Sequence, residues 1–220
     1  MRRIRIALLA GGILATLSMS SVDAAGPRAP GFLPASAHPL GYSIPEIATA
    51  WNRWAFGSAA DINPLLAVRC EQSTLDPRIW FLPVSLGGEW QNTCNVPRGA
   101  FLMLNVGGAE CSNLEPEPFF GADEGDLIAC VNDGFDLVSY AEVTGAGVTT
   151  TKLDAYVART NLDTLPPNNL LSTDAGLTMD KGIFMVIGPL SPGTHTYRAY
   201  DEFEVFDFQA GITYTINVGG

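Results

Sequence analysis

The segment ITYTINV, residues 212–218, indicates the fold class because apolar and polar residues alternate along its whole length. Successive side chains of a β-strand point to opposite faces, so one face is apolar and the other carries Thr213, Thr215 and Asn217. Residues 194–200 alternate in the same way after the turn sequence LSPG at 190–193. The C-terminal part of the chain is therefore predicted to form a β-sheet.

Further segments upstream have the composition of strands bounded by Gly, Pro and Asn. They are residues 78–84 (RIWFLPV), 100–106 (AFLMLNV) and 182–187, and the pair 137–143 and 149–157 around the turn at 145–147. Strands at this spacing favour an antiparallel arrangement over an α/β fold. The predicted fold is mainly β: an antiparallel β-sandwich, immunoglobulin-like or jelly-roll-like, with two short helices.

The first of these helices begins with a capping box. Ser43 and Glu46 have the spacing of that motif, Trp51 and Trp54 lie on one face of the following segment, and Gly57 ends it. The two tryptophans favour a buried helix face, with a sugar-stacking surface as the alternative.

Four cysteines, at positions 70, 94, 111 and 130, are typical of a disulfide-bonded protein from an oxidising compartment. Three connectivities are possible, and proximity in sequence favours Cys70 with Cys94 and Cys111 with Cys130. A zinc site is disfavoured because there is no Cys-x-x-Cys pair and there are only two histidines.

The N-terminus has the three-part plan of a secretory signal peptide: arginines at 2, 3 and 5, an apolar run at 6–17, and a small-residue region near 24. We predict a signal peptide at 1–24, an extended arm rich in Pro, Ala and Gly at 25–42, and a single disulfide-stabilised β-rich domain at 43–220. The protein is expected to be secreted or periplasmic. No integral membrane segment is predicted after cleavage.

The chain is acidic, with a formal net charge of −11. Nucleic acid is an unsuitable partner because phosphate binding requires a basic surface. The expected partner is an extracellular ligand or an envelope component.

The segment between Cys111 and Cys130 holds a concentration of acids. Asp123, Glu124 and Asp126 precede an apolar stretch, where acids favour a helix N-terminus, and NDG at 132–134 is predicted to end that second helix. A disulfide-closed loop is the favoured interpretation. A weak, irregular calcium site at these three acids is the alternative, although they do not fit the EF-hand spacing; no other cofactor is expected.

The sequence contains no G-x-S-x-G, H-E-x-x-H, Walker or Rossmann motif. His195 is the histidine of the predicted sheet and is interpreted as a surface or hydrogen-bonded residue, with a general base as the alternative. Trp90, Phe119 and Phe120 lie in turn-rich segments and, with His195, are the candidate ligand-binding residues. Loop packing is the competing interpretation for the aromatic residues.

Several of these motifs together resemble a family of secreted bacterial proteins of unknown function. They are Trp51 and Trp54, IWFL at 79–82, CNVPRG at 94–99, ECS at 110–112 and LSPGTHT at 190–196. The chain departs from the family pattern at Ala100, where a lysine is expected, and at 180–182. The resemblance implies secretion and a similar fold, and it implies no particular activity.

The function predicted from sequence is that of a non-catalytic binding or structural module. The alternative is a hydrolase directed at a glycan or other envelope material, with loop carboxylates as its acid and base.

Overall fold

A computed structural model of the protein describes residues 31–145, 148–151 and 153–219. The predicted signal peptide and residues 25–30 of the predicted arm lie outside the described residues.

The described chain contains two α-helices and twelve β-strands. The helices are α1 (Ile44–Gly57) and α2 (Glu124–Phe135). The strands are β1 (Phe32–Leu33), β2 (Glu71–Gln72), β3 (Ile79–Phe81), β4 (Gly88–Val96), β5 (Phe101–Ser112), β6 (Tyr140–Gly145), β7 (Val148–Thr150), β8 (Val157–Arg159), β9 (Asp163–Leu165), β10 (Gly176–Ile187), β11 (Gly193–Phe203) and β12 (Phe208–Val218).

The strands form two sheets, which confirms the prediction of a mainly β, sandwich-like fold with two helices. The first sheet has the order β1-β10-β5-β3-β2, and β8 and β9 also pair with β10. The second has the order β4-β12-β11-β6-β7. Most pairs are antiparallel, but β3 pairs with β5 and β4 with β12 in parallel, so both sheets are mixed.

The apolar core has three parts. The inner faces of the two sheets pack together through residues such as Leu104, Met185 and Tyr214. The apolar face of α1 covers the other side of the first sheet, where Trp51 contacts Phe184. A smaller cluster joins Cys111 and Met179 to α2.

Both helices begin as predicted, but the second ends later. Ser43 and Glu46 form the capping box of α1, and Asp123 caps α2 by accepting a hydrogen bond from the Asp126 amide at 3.1 Å. The predicted end of α2 at 132–134 is wrong because the helix continues to Phe135. The packing of α2 on β5 explains the difference: a Cβ on Gly134 would lie 2.6 Å from that of Ala109, so glycine permits close contact there.

Two other predictions concern local elements. The predicted strand at 149–157 is interrupted, because a short 3-10 turn at Asp154–Tyr156 separates β7 from β8. The predicted disulfides are confirmed: Cys70 is bonded to Cys94 and Cys111 to Cys130, with Cα atoms 5.9 and 6.2 Å apart.

Candidate ligand-binding site

A cavity of about 400 Å³ lies at the edge of the first sheet, beside the end of the β11–β12 hairpin. The floor of the cavity is formed by the residues of β5 between Met103 and Ser112. The pairing of β5 with β3 ends at Met103, and Ser112 forms a bridge with Phe120. The walls of the cavity come from α1, the segment after β3, the disulfide-closed segment and the β11–β12 hairpin. The lining residues include Trp51, Phe56, Val84, Ser85, Asn105, Gly107, Gly108, Ala109, Glu110, Phe119, Asp180, Asp201, Phe203, Phe206 and Phe208.

The register of β5 against β10 brings polar groups to one face of the first sheet. Glu110 lies directly opposite Asp180, and such cross-strand neighbours have Cβ atoms about 4.5–5.5 Å apart. The register then shifts, because Gly182 faces Gly108 whereas Phe184 faces Asn105. This β-bulge adds one residue to β5 and places Asn105 within hydrogen-bonding distance of Asp180.

Hydrogen bonds satisfy this polar cluster only in part. Asn105 Nδ2 donates to Asp180 Oδ2 at 3.3 Å, and the Thr178 hydroxyl donates to Glu110. Asp180 Oδ1, Asn105 Oδ1 and both polar side-chain atoms of the neighbouring Asn52 are buried without a hydrogen-bond partner. Asp180 and Asn105 are 2% and 7% exposed, and both residues line the cavity.

The carboxyl groups of the buried Asp180 and the half-buried Glu110 favour their neutral forms. Burial raises the pKa of Asp180 to about 8, partly opposed by the nearby Asn52 amide. Burial also raises the pKa of Glu110 well above its ordinary value, and the neighbouring acids Glu115 and Asp180 raise it further. Two adjacent carboxyl groups therefore retain protons at a pH where exposed acids have lost theirs.

A third carboxyl group reaches the cavity from the second sheet. Asp201 lies on β11, is 4% exposed, and has a pKa that burial raises to about 7. A Cβ on Gly107 would lie 2.8 Å from both Cβ and Oδ2 of Asp201. The absence of a side chain at Gly107 therefore leaves room for Asp201 between the sheets.

Aromatic rings form the remaining walls. The Phe119 and Phe206 ring centroids are 6.1 Å apart, and those of Phe203 and Phe208 are 5.9 Å apart in an edge-to-face arrangement. Phe206 is 47% exposed and Phe208 36%, so apolar surface continues from the cavity to solvent. The cavity can therefore hold an apolar body above a polar floor.

Hydrogen bonds from the core hold the wall at 82–85 in place. Trp51 Nε1 donates to the Leu82 carbonyl at 2.9 Å, and the Tyr214 hydroxyl donates to the Pro83 carbonyl at 2.7 Å. Both donors are fully buried. This part of the cavity is therefore held in place both by α1 and by the second sheet.

The structure brings one of the four candidate ligand-binding residues to the cavity. Phe119 lines it, whereas the adjacent Phe120 is 39% exposed and lies outside the lining. Trp90 is half-buried against the core between the sheets. His195 contacts the Ser191 carbonyl at 2.9 Å at the start of β11. The four residues do not form a single site.

The candidate calcium ligands Asp123, Glu124 and Asp126 are all exposed at the start of α2. Asp123 caps the helix, as the favoured interpretation requires. Across residues 31–145, 148–151 and 153–219, no group of three or more His, Cys, Asp or Glu side chains is arranged to hold a metal ion.

Asp180, Asp201 and Asn105 are not among the site residues predicted from sequence, and Glu110 appears there only in the ECS motif at 110–112. Two signals were present. Asp180 and Glu110 are acids next to apolar strand residues, and the glycine pair 107–108 within a strand indicates a bulge. Their combination in one site depends on the β5–β10 pairing, which residue patterns do not specify.

The fold and the cavity define a disulfide-bonded β-sandwich protein with a buried acidic cluster in an aromatic cleft. No family model, curated protein or solved structure matches the chain. Among the helices of the described residues, none is long and apolar enough to span a membrane.

Proposed function

We propose that the protein is an exported, non-catalytic binding module whose ligand occupies the cavity on β5. The unpaired oxygens of Asp180 and Asn105 carry this proposal. A buried polar atom without a partner costs about 1–3 kcal/mol, and a ligand that hydrogen-bonds to it recovers that free energy. The volume and the few convergent polar groups fit a small-molecule site.

An extracytoplasmic compartment best fits the two disulfides, because such bonds persist in oxidising environments. The N-terminal signal-peptide pattern and the resemblance to secreted bacterial proteins support the same proposal. N-terminal sequencing of the protein recovered from the periplasm or the medium tests it: the expected first residue is near Ala25, and an intact Met1 would contradict it.

A thermal-shift screen of small molecules tests the binding proposal, with Phe119→Ala and Phe120→Ala as a matched pair. A ligand at about 100 times its Kd stabilises the folded state by about 2.7 kcal/mol and raises the melting temperature by several degrees. We expect Phe119→Ala to reduce this shift and Phe120→Ala to preserve it. An equal reduction of the melting-temperature shift in both variants, or ligands that bind elsewhere, would contradict the assignment of the site.

A second candidate function is hydrolysis of a glycan, favoured by the facing carboxyl groups of Glu110 and Asp180. Acids with raised pKa values in a cleft are suited to general acid catalysis. These acids lie on strands, whereas the sequence-based alternative placed them on loops. Release of reducing sugar from cell-wall polymers, lost by orders of magnitude in Glu110→Gln or Asp180→Asn, would favour the hydrolase over the binding module.

A further inference from the structure

We propose that the ligand of this cavity is an organic cation: a protonated amine with an apolar, ring-bearing body. This inference rests on the binding function proposed above and names the chemical class of the ligand. It is carried by the charge of the lining, the arrangement of acceptor atoms on the floor and the aromatic walls.

The ionisable side chains of the lining are all acids. Glu110, Asp180 and Asp201 face the cavity, and no Lys, Arg or His is among the lining residues of the described chain. The protein as a whole has a net charge of −11. In its ionised form such a site attracts a cationic ligand and repels a carboxylate ligand.

Once the acids are ionised, the floor presents acceptors where an ammonium group presents donors. Asn105 uses its Nδ2 on Asp180, so its Oδ1 is left as an acceptor, and Asp180 Oδ1 is also unpaired. Glu110, whose Oε1 accepts a hydrogen bond from the Thr178 hydroxyl, lies on the same face. An ammonium group carries three N–H donors and no acceptor, which matches this set.

The walls suit the rest of such a ligand. Trp51, Phe56, Phe119, Phe203, Phe206 and Phe208 all line the cavity. Aromatic faces attract cations by about 0.5–2 kcal/mol and also bury apolar rings. A bare metal ion would leave this surface unused, and Ca²⁺ prefers six to eight oxygen ligands.

Binding of a cation is expected to release protons. The ionised form of a carboxyl group is the form that a cation stabilises, so the bound cation lowers the pKa of the acids that burial had raised. The charged side chains near the cavity do not provide the positive charge that would stabilise the ionised acids. Arg53 on α1 pairs with Asp163 on β9, Arg159 on β8 is exposed, and Glu115 is another acid. The released protons pass to the buffer.

Isothermal titration calorimetry with three probes of similar shape tests the inference: 2-phenylethylammonium, 2-phenylethanol and 3-phenylpropionate. We expect the ammonium probe to bind at least about tenfold more tightly than the alcohol, and the carboxylate not to bind. Its affinity should rise by at least about tenfold from pH 6 to pH 8, with a buffer-dependent enthalpy that reports proton release. Asp180→Asn and, separately, Glu110→Gln should weaken binding and reduce the pH dependence, whereas Val205→Ala should leave both unchanged.

The outcomes separate this inference from the binding function. Equal or tighter binding of the alcohol, or a pH-independent affinity for the ammonium probe, would overturn the cation inference and leave a binding site for neutral ligands. If the ammonium probe does not bind, the inference fails. If no compound of the wider screen binds either, the proposed function fails as well. Circular dichroism of each variant shows whether a loss of binding reflects a loss of fold.

Discussion

Asp180 shows how one residue can serve a site at the expense of the fold. It is 2% exposed, has one carboxyl oxygen without a partner, and has a pKa that burial raises to about 8. A protein selected for stability alone gains little from an acid at this position, because burying a charge or an unpaired polar atom is costly. The cost is understandable if a ligand completes the environment of the carboxyl group.

The first prediction concerns the pH dependence of stability. Folded Asp180 binds a proton that the unfolded chain has released, so the free energy of unfolding falls as the pH rises from about 4 to about 8. Asp180→Asn removes this contribution, which has a slope of up to about 1.4 kcal/mol per pH unit. Urea unfolding at pH 5, 6.5 and 8 should show the variant gaining stability relative to the wild type as the pH rises.

The control for that experiment is Glu117→Gln, because Glu117 is exposed and is not among the residues that line the cavity. Its stability should follow that of the wild type at each pH. Parallel pH profiles for the wild type and Asp180→Asn would show that the carboxyl group is not held neutral in the folded protein.

The second prediction concerns Gly107. A methyl group there would overlap Asp201, so Gly107→Ala should destabilise the fold by about 1–3 kcal/mol. At Gly57, a Cβ would meet its nearest atoms at 3.5 Å, so Gly57→Ala should be neutral or stabilising by up to about 1 kcal/mol. Chemical denaturation measures both, and equal effects would contradict the close approach of β5 to Asp201.

At the scale of elements, the sequence predicts those strands and helix ends that depend on residues close together in the chain. The alternation of 212–218 predicts the last strand, and Ser43 with Glu46 predicts the start of α1. The predicted stop at 132–134 lies one residue before the observed end of α2 at Phe135, a difference within the usual variation of helix ends. Residues 149–157 were assigned to one strand because their composition does not reveal the turn between β7 and β8.

The site could be predicted far less well than the fold. Glu110 and Asp180 are 70 positions apart in the chain, and only the β5–β10 register makes them neighbours. The bulge in β5 then decides that Asn105 shares their face. Phe119 was identified because an aromatic residue in a turn-rich segment is visible in the sequence, whereas a buried acid on a strand is recognised only once its partners are known.

The third prediction concerns the disulfide between Cys111 and Cys130, which closes the segment that carries Phe119. Replacing both cysteines by alanine should cost about 3 kcal/mol because the unfolded chain is no longer constrained. The backbone bonds of Ser112 with Phe119 and Gly121 should also open more often, which hydrogen exchange measures as faster exchange at 112–121.

The matched control replaces Cys70 and Cys94, whose sequence separation of 24 is similar to the 19 of the other pair. It should lose comparable stability without a selective increase in exchange at 112–121. If both double variants leave exchange in this segment unchanged, the disulfide does not hold the Phe119 wall of the cavity.

At the scale of the whole molecule, the cavity lies where separately encoded parts meet. The helix α1 supplies Trp51, the first sheet supplies the polar floor, and the second sheet supplies Asp201 and the Phe206 wall. Parts so distant in sequence form a site only in the folded, disulfide-bonded protein. Ligand affinity is therefore expected to fall when the disulfides are reduced, even under conditions in which the strands persist.

The most direct test of this account is a pH titration of the Asp and Glu side-chain carboxyl carbons by ¹³C NMR in the ligand-free protein. We expect Asp180 to titrate near pH 8 and Asp201 near pH 7, and the transition of Glu110 to lie well above that of an ordinary glutamate. Titration of all three groups below about pH 5, in the range of exposed acids, would contradict it. The cavity would then lack the buried neutral acids on which the proposed binding site depends.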